Sequence, residues 1–177
     1  MVTVRRTSTS SRSCTTEHGA GTKTGARRDI PQRLWKSILA SVPIACVDLI
    51  LYRKVGRKTR VLLGYRKIYP YGDCWALPGG RIIKRERLRE TANRQLEEIG
   101  ISPTNNYRLV GVYPVNFRHR SDIAICLSTR VSKDQEPQPT RELVRYAWRS
   151  LDELPSRIGS NYREMLRDFK HCHYGVR

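Results

Sequence analysis

The sequence predicts an α+β protein, a strand-rich body with helices inserted, arranged as an α/β/α sandwich. Three observations point there. β-rich runs at residues 44–52 and 60–65 flank the turn Val55-Gly56-Arg57-Lys58 and read as a hairpin. Three more such runs follow, at residues 107–115, 123–131 and 143–149. Apolar residues at helical spacing lie before, between and after these runs, with no internal repeat.

In chain order, residues 1–28 are rich in Ser, Thr, Gly and Arg and have little to bury, so a disordered tail is expected. The same basic, acid-poor composition suits an organellar transit peptide, but a plain tail is the preferred reading. The folded domain is expected over residues 29–177. Pro31 suits a first helical turn; Leu34, Trp35, Ile38 and Leu39 repeat at helical spacing, and Pro43 ends that helix. The apolar run that follows contains Asp48 and reads as a buried strand. Residues 70–73 break the chain after the hairpin, and residues 75–83 run through Pro78-Gly79-Gly80 into a helix that Gly100 stops. Residues 132–140 hold two prolines and form a loop; residues 161–170 form a closing helix with Tyr162, Leu166 and Phe169 on one side.

The chain carries 34 Lys+Arg against 16 Asp+Glu, net +18. Residues 1–28 hold six basic residues and one acidic, net +5, which leaves 28 basic and 15 acidic, net +13, for residues 29–177. The folded part therefore attracts polyanions itself. No apolar run approaches the ~20 residues that span a bilayer, so no membrane partner is expected. Five scattered cysteines without a C-x-x-C pair indicate reduced thiols and a cytoplasmic setting. His171-Cys172-His173 matches no standard zinc spacing and reads as a solvated C-terminal end.

The chemistry concentrates between residues 79 and 101. If residues 86–99 are helical, at about 100° per residue Glu86, Glu90, Arg94, Glu97 and Glu98 fall within roughly 120°, opposite Leu88, Ala92, Leu96 and Ile99. Clustered carboxylates repel one another, and an oxygen-seeking cation such as Mg²⁺ relieves this. Arg94 can hold one of them bidentately. The competing reading is a solvated face with Glu90–Arg94 and Arg94–Glu98 as i,i+4 pairs. The Gly79-Gly80 turn favours the cation, because glycines let backbone approach a ligand and leave a carbonyl for metal.

This segment resembles the Nudix box: glycine, five residues, glutamate, seven residues, Arg-Glu, an apolar residue, any residue, Glu-Glu, any residue, glycine, an apolar residue. Gly80, Glu86 and Arg94 stand at the required spacings, followed by Leu96, Glu97-Glu98, Gly100 and Ile101. Gln95 replaces a box glutamate, and one residue is missing between Leu96 and the Glu pair. Counted from Arg94, Glu98 is the first Glu of the pair; counted back from Gly100 it is the second, and only then is Glu97 also a ligand candidate. Over roughly residues 34–101 the chain is more closely similar to the GDP-mannose mannosyl hydrolases, a Nudix branch. That resemblance rests on the strand through Asp48, on Leu62-Leu63-Gly64-Tyr65-Arg66, and on Trp75-Ala76-Leu77-Pro78-Gly79-Gly80-Arg81.

The resemblance implies a Nudix α/β/α sandwich with a mixed sheet, often a homodimer through its N-terminal region. It implies Mg²⁺, or Mn²⁺ in its place, on the Gly79 carbonyl, Glu98 and, in the second register, Glu97. Asp48, Arg66 and Arg81 would bind substrate, with Arg81 and Arg94 assisting catalysis. The branch has a histidine base where Ser121 stands; His119, two residues away on a stretch read as a mobile loop, is the candidate, with Asp122 and Glu142 as rivals. The implied partner is a small nucleoside-diphosphate sugar, ahead of nucleic acid such as RNA 5′ ends, dinucleoside polyphosphates, or an inactive nucleotide-binding role.

Overall fold

A computed structural model describes residues 30–68 and 72–174. The tail read over residues 1–28 lies outside them. The elements are α1 (Gln32–Ser41), β1 (Ile44–Val55), β2 (Lys58–Arg66), β3 (Cys74–Ala76), β4 (Gly79–Arg81), α2 (Leu88–Glu98), β5 (Arg108–Phe117), β6 (Arg120–Arg130), β7 (Leu143–Ser150) and α3 (Ser160–Tyr174). The sheet runs β3-β2-β1-β6-β5, with β4 added to β1 and β7 to β2. It is mixed: β1 and β6 run parallel from Ile44↔Asp122 to Tyr52↔Arg130, and the other pairings are antiparallel.

β1 sits at the centre because its apolar run has partners on both faces. Val47, Leu49 and Leu51 meet Ala92 and Leu96 of α2 and Ile99 at its C-cap. Ile50 joins Val61, Leu63 and Tyr113 beneath Tyr162, Met165, Leu166 and Phe169 of α3. Two helical layers thus close over one sheet, as the sequence predicted. α1 has the predicted helical spacing but buries none of its residues. No helix among the described residues is long and apolar enough to cross a membrane.

Two local readings change. The helix expected from residue 86 starts at Leu88, because Arg85 takes a left-handed φ of 72° and the chain turns there. The loop expected near His119 is a tight β5–β6 turn, closed by pairing of Phe117 with Arg120. At the chain's end, His171 and Cys172 lie on α3, and the His173 ring stacks on Phe169 with centroids 5.0 Å apart.

α2 ends in a complete Schellman motif. The Ile101 N–H donates to the Leu96 carbonyl at 2.9 Å and the Gly100 N–H to the Glu97 carbonyl at 3.0 Å. Gly100 makes this possible with φ +74°, and a Cβ there would lie 2.9 Å from Gln138 Cγ. Gly100→Ala is expected to lose about 1–2 kcal/mol, the cost of a left-handed Cβ. In urea the unfolding midpoint should fall with an unchanged slope; an unmoved midpoint contradicts this cap.

Candidate active site

Glu86 and Arg94 form the firmest contact of the box segment. Arg94 Nε donates to Glu86 Oε1 at 2.7 Å and Arg94 Nη2 to Oε2 at 2.8 Å. Oε2 also accepts from the Ile83 N–H at 3.0 Å and the Thr91 hydroxyl at 2.8 Å. Arg94 Nη2 reaches the Arg81 carbonyl as well, at 2.9 Å. Its hydrogen bonds to Arg94, above all, hold the Glu86 carboxyl down at a pKa of about 2. Arg94 therefore pairs with neither Glu90 nor Glu98 of the i,i+4 reading. Glu90 instead caps α2, accepting from the Arg87 N–H at 2.8 Å.

Packing requires the glycine at 79, and at 80 a Cβ would have to displace the Gln95 side chain. A Cβ at Gly79 would lie 2.4 Å from the Val47 carbonyl oxygen and 2.5 Å from Asp48 Oδ1. One at Gly80 would lie 2.8 Å from Gln95 Nε2. Pairing of β4 with β1 sets this, opposing Gly79 to Asp48 and Gly80 to Val47. Successive residues of a strand face opposite ways, so Gly79 faces Asp48 while Gly80 faces α2.

On α2, Gln95 is buried and its amide donates to Glu98 Oε2 at 3.2 Å. The helix is regular from Leu88 to Glu98 and sets Glu98 beside Gln95 on one face. Counted forward from Arg94, the buried Ile99 stands where the second Glu of the pair would be. At 100° per residue Glu97 lies about 100° around the helix from Glu98 and about 160° from Gln95. Gly80, Gln95 and Glu98 are brought together; Glu97 faces away from them.

The other face of β1 carries a second polar group. Asp48 and Asp122 are buried, and on their strands they share a face with Cys46. Burial, then the Asp122 charge, pushes Asp48 up to a pKa of about 7 against the opposing pull of Arg66 and Arg120. The same burial, with both carboxylates, pushes the Cys46 thiol up to about 12. Arg120 Nε donates to Asp122 Oδ2 at 3.2 Å, and its Nη2 donates to the same oxygen. Among the described residues, Asp122 Oδ1 is buried without a hydrogen-bond partner. Arg66 Nη2 pairs with Glu142 at 3.0 Å, which occupies one of the rival bases. The Arg81 guanidinium lies 5.0 Å from the centre of the Trp35 ring, and His119 is exposed in the β5–β6 turn. Sequence reading missed Gln95 as a buried neighbour of Gly80, and Cys46 and Arg120 as members of this cluster. The available signal was that which exposed Asp48: a polar residue set into an apolar strand.

Among the described residues no three His, Cys, Asp or Glu side chains form a metal cage. Mg²⁺ needs none, since it keeps several waters and takes one or two carboxylates plus substrate phosphates. A carboxylate such as that of Glu98 and a backbone carbonyl such as that of Gly79 are donors of the kind a hydrated cation takes.

Residues 43–169 match the family model described as the NUDIX domain, and the chain belongs to that family. Among curated proteins it is 38% identical over 81 residues to the low-salt glycan biosynthesis protein Agl8 of Haloferax volcanii. That alignment spans 45% of this chain and 49% of the relative, about half its length. The fold is similar to the NUDIX domain of Shewanella oneidensis NrtR complexed with ADP ribose, with TM-score 0.65 and 18% identity over 81% of this chain and 99% of that one. It is also similar to a C. elegans Ap4A hydrolase (TM-score 0.64, 18% identity, 75% and 99% covered) and to a MutT protein of Methanosarcina mazei (TM-score 0.64, 23% identity, 75% and 97% covered).

Glu86→Gln is expected to destabilise the fold by about 2 kcal/mol at neutral pH, as for loss of charged hydrogen bonds. A carboxyl held at about 2 against an ordinary 4.5 stabilises the fold fully above 4.5 and loses that contribution as pH falls toward 2. The difference between wild type and variant should therefore shrink over that window. A pH-independent difference contradicts the ion pair's role.

Proposed function

We propose that the protein is a Mg²⁺-dependent hydrolase of a nucleoside-diphosphate sugar of the GDP-mannose type, acting in the cytoplasm. The observation that carries this is the contact of Gly79 with Asp48. It sets the box turn, suited to metal and phosphate, directly against a carboxylate suited to sugar hydroxyls. The likeness to a glycan biosynthesis protein supports the sugar.

Glu98 and the Gly79 carbonyl would hold the cation, with Glu97 needed only if the second register applied. When bound, the cation neutralises the diphosphate and makes it a better leaving group. Arg66 and Arg81 bind the phosphates. Arg94, committed to Glu86 and the Arg81 carbonyl, positions the turn. Asp48 accepts from the sugar. His119 takes the proton of the attacking water while the water oxygen bonds to sugar C1. The C1–O bond to the diphosphate breaks, its electron pair leaving with the nucleotide. α1, which buries none of its residues, is the surface for a homodimer.

A second reading, a nucleotide-binding regulator, is favoured by Gln95 and Ile99 standing where the box has carboxylates. One experiment decides between them. Nucleotide sugars, capped RNA and dinucleoside polyphosphates are incubated with Mg²⁺ in ¹⁸O-water. Free sugar carrying the label is expected. Label only in phosphate excludes attack at carbon, and no turnover of any substrate excludes the enzyme. His119→Ala should lower kcat by about 10²–10⁴-fold, the worth of a general base; full activity removes His119 from the mechanism. A chain starting at Asp29 should keep the wild-type kcat, and loss of folded protein on that truncation overturns the domain boundary.

A further inference from the structure

A cleft of about 400 Å³ lies on β2, the approach to β3, and β7, lined by Tyr65, Lys67, Asp73, Val144 and Arg145. That volume falls within the range of small-molecule sites. The strand registers build it by setting Tyr65 opposite Trp75 on β3 and opposite Arg145 on β7. The Tyr65 and Trp75 rings meet edge to face with centroids 5.4 Å apart. The Arg145 guanidinium lies 4.3 Å from the centre of the Tyr65 ring and 5.5 Å from that of Trp75, with Arg149 5.8 Å from Trp75. Both arginines are exposed, and no ion pair to a carboxylate is found for either among the described residues.

A guanidinium stacked on an aromatic ring has its outer face and N–H edge available. A flat ring can stack on that face, as bases do on arginine, and phosphate oxygens can take the N–H groups. Lys67 adds a second cation, and Asp73 brings a carboxylate to the rim. Asp73 holds φ 54°, a left-handed conformation that Asp and Asn adopt more readily than other side chains. Its two oxygens accept hydrogen bonds and donate none, so they complement an amino-bearing base edge and oppose the carbonyls of uracil.

We propose that this cleft is the nucleobase subsite: the base stacks on Arg145 over Tyr65, its amino edge toward Asp73, with Lys67 on the side from which the phosphates lead toward Arg66. This rests on the nucleotide reading above but not on catalysis, so the two are tested apart. Binding of GMP, AMP and UMP to the full chain is followed by tryptophan fluorescence and, independently, by calorimetry, without substrate turnover. GMP and AMP should bind tighter than UMP. Arg145→Met should weaken GMP about tenfold or more, the worth of one base-stacking platform. Asp73→Asn, which keeps the backbone conformation, should erase the preference over UMP. Wild-type GMP affinity in Arg145→Met, or an unaltered base preference in Asp73→Asn, overturns the subsite even if nucleotide sugars are hydrolysed. Failure of every nucleotide sugar to react, with these binding results obtained, overturns the hydrolase reading and leaves the subsite standing.

Discussion

The bidentate pair between Glu86 and Arg94 is the contact on which the rest of the candidate site depends. It joins a loop turned by left-handed Arg85 to the middle of α2. One carboxylate gathers the Arg94 guanidinium, the Ile83 amide and the Thr91 hydroxyl, while Arg94 also grips the Arg81 carbonyl. Both side chains are half-buried, so removing either one leaves the other's charge without its partner. With the pair intact, β4 is fixed against α2 and the two glycines have a defined distance to their neighbours.

That fixed strand serves both faces of the sheet. Gly79 abuts Asp48 on the face that α3 shares, and Gly80 abuts Gln95 on the face of α2. The Asp48 and Asp122 carboxylates on one side and Gln95 with Glu98 on the other are therefore tied through two consecutive residues, Gly79 and Gly80. On the α2 side the box is reduced. Gln95 supplies an amide, Ile99 is buried in the core, and Glu98 is the carboxylate that remains beside them.

Much of this was legible in the sequence, for local reasons. Periodicity located the helices and strands, and Asp48 inside an apolar run marked a buried polar position. The parallel β1–β6 pairing has no local signature, and from the residues alone the sheet's mixture of directions came only with the family resemblance. The partner of Arg94 was not legible, because the helical wheel assumed that residue 86 was helical. Once Arg85 turned the chain, Glu86 moved to a loop and became the partner eight residues away. The register after Arg94 was also undecidable from spacing; the cap at Gly100 shows where the helix ends, and the contact of Gln95 with Glu98 shows which side chains share its face. The cation–π contacts of Tyr65, Trp75 and Arg145 join three strands and could not be read from any one of them.

In the function proposed, a single box carboxylate, Glu98, holds a hydrated divalent cation beside Gly79. Its most direct test is the count of bound Mn²⁺ by electron paramagnetic resonance, on wild type and on Glu97→Gln and Glu98→Gln, none of which needs turnover. One Mn²⁺ per chain is predicted, kept by Glu97→Gln and lost by Glu98→Gln. Two or more ions per chain, or loss of binding in Glu97→Gln with binding kept in Glu98→Gln, would contradict it.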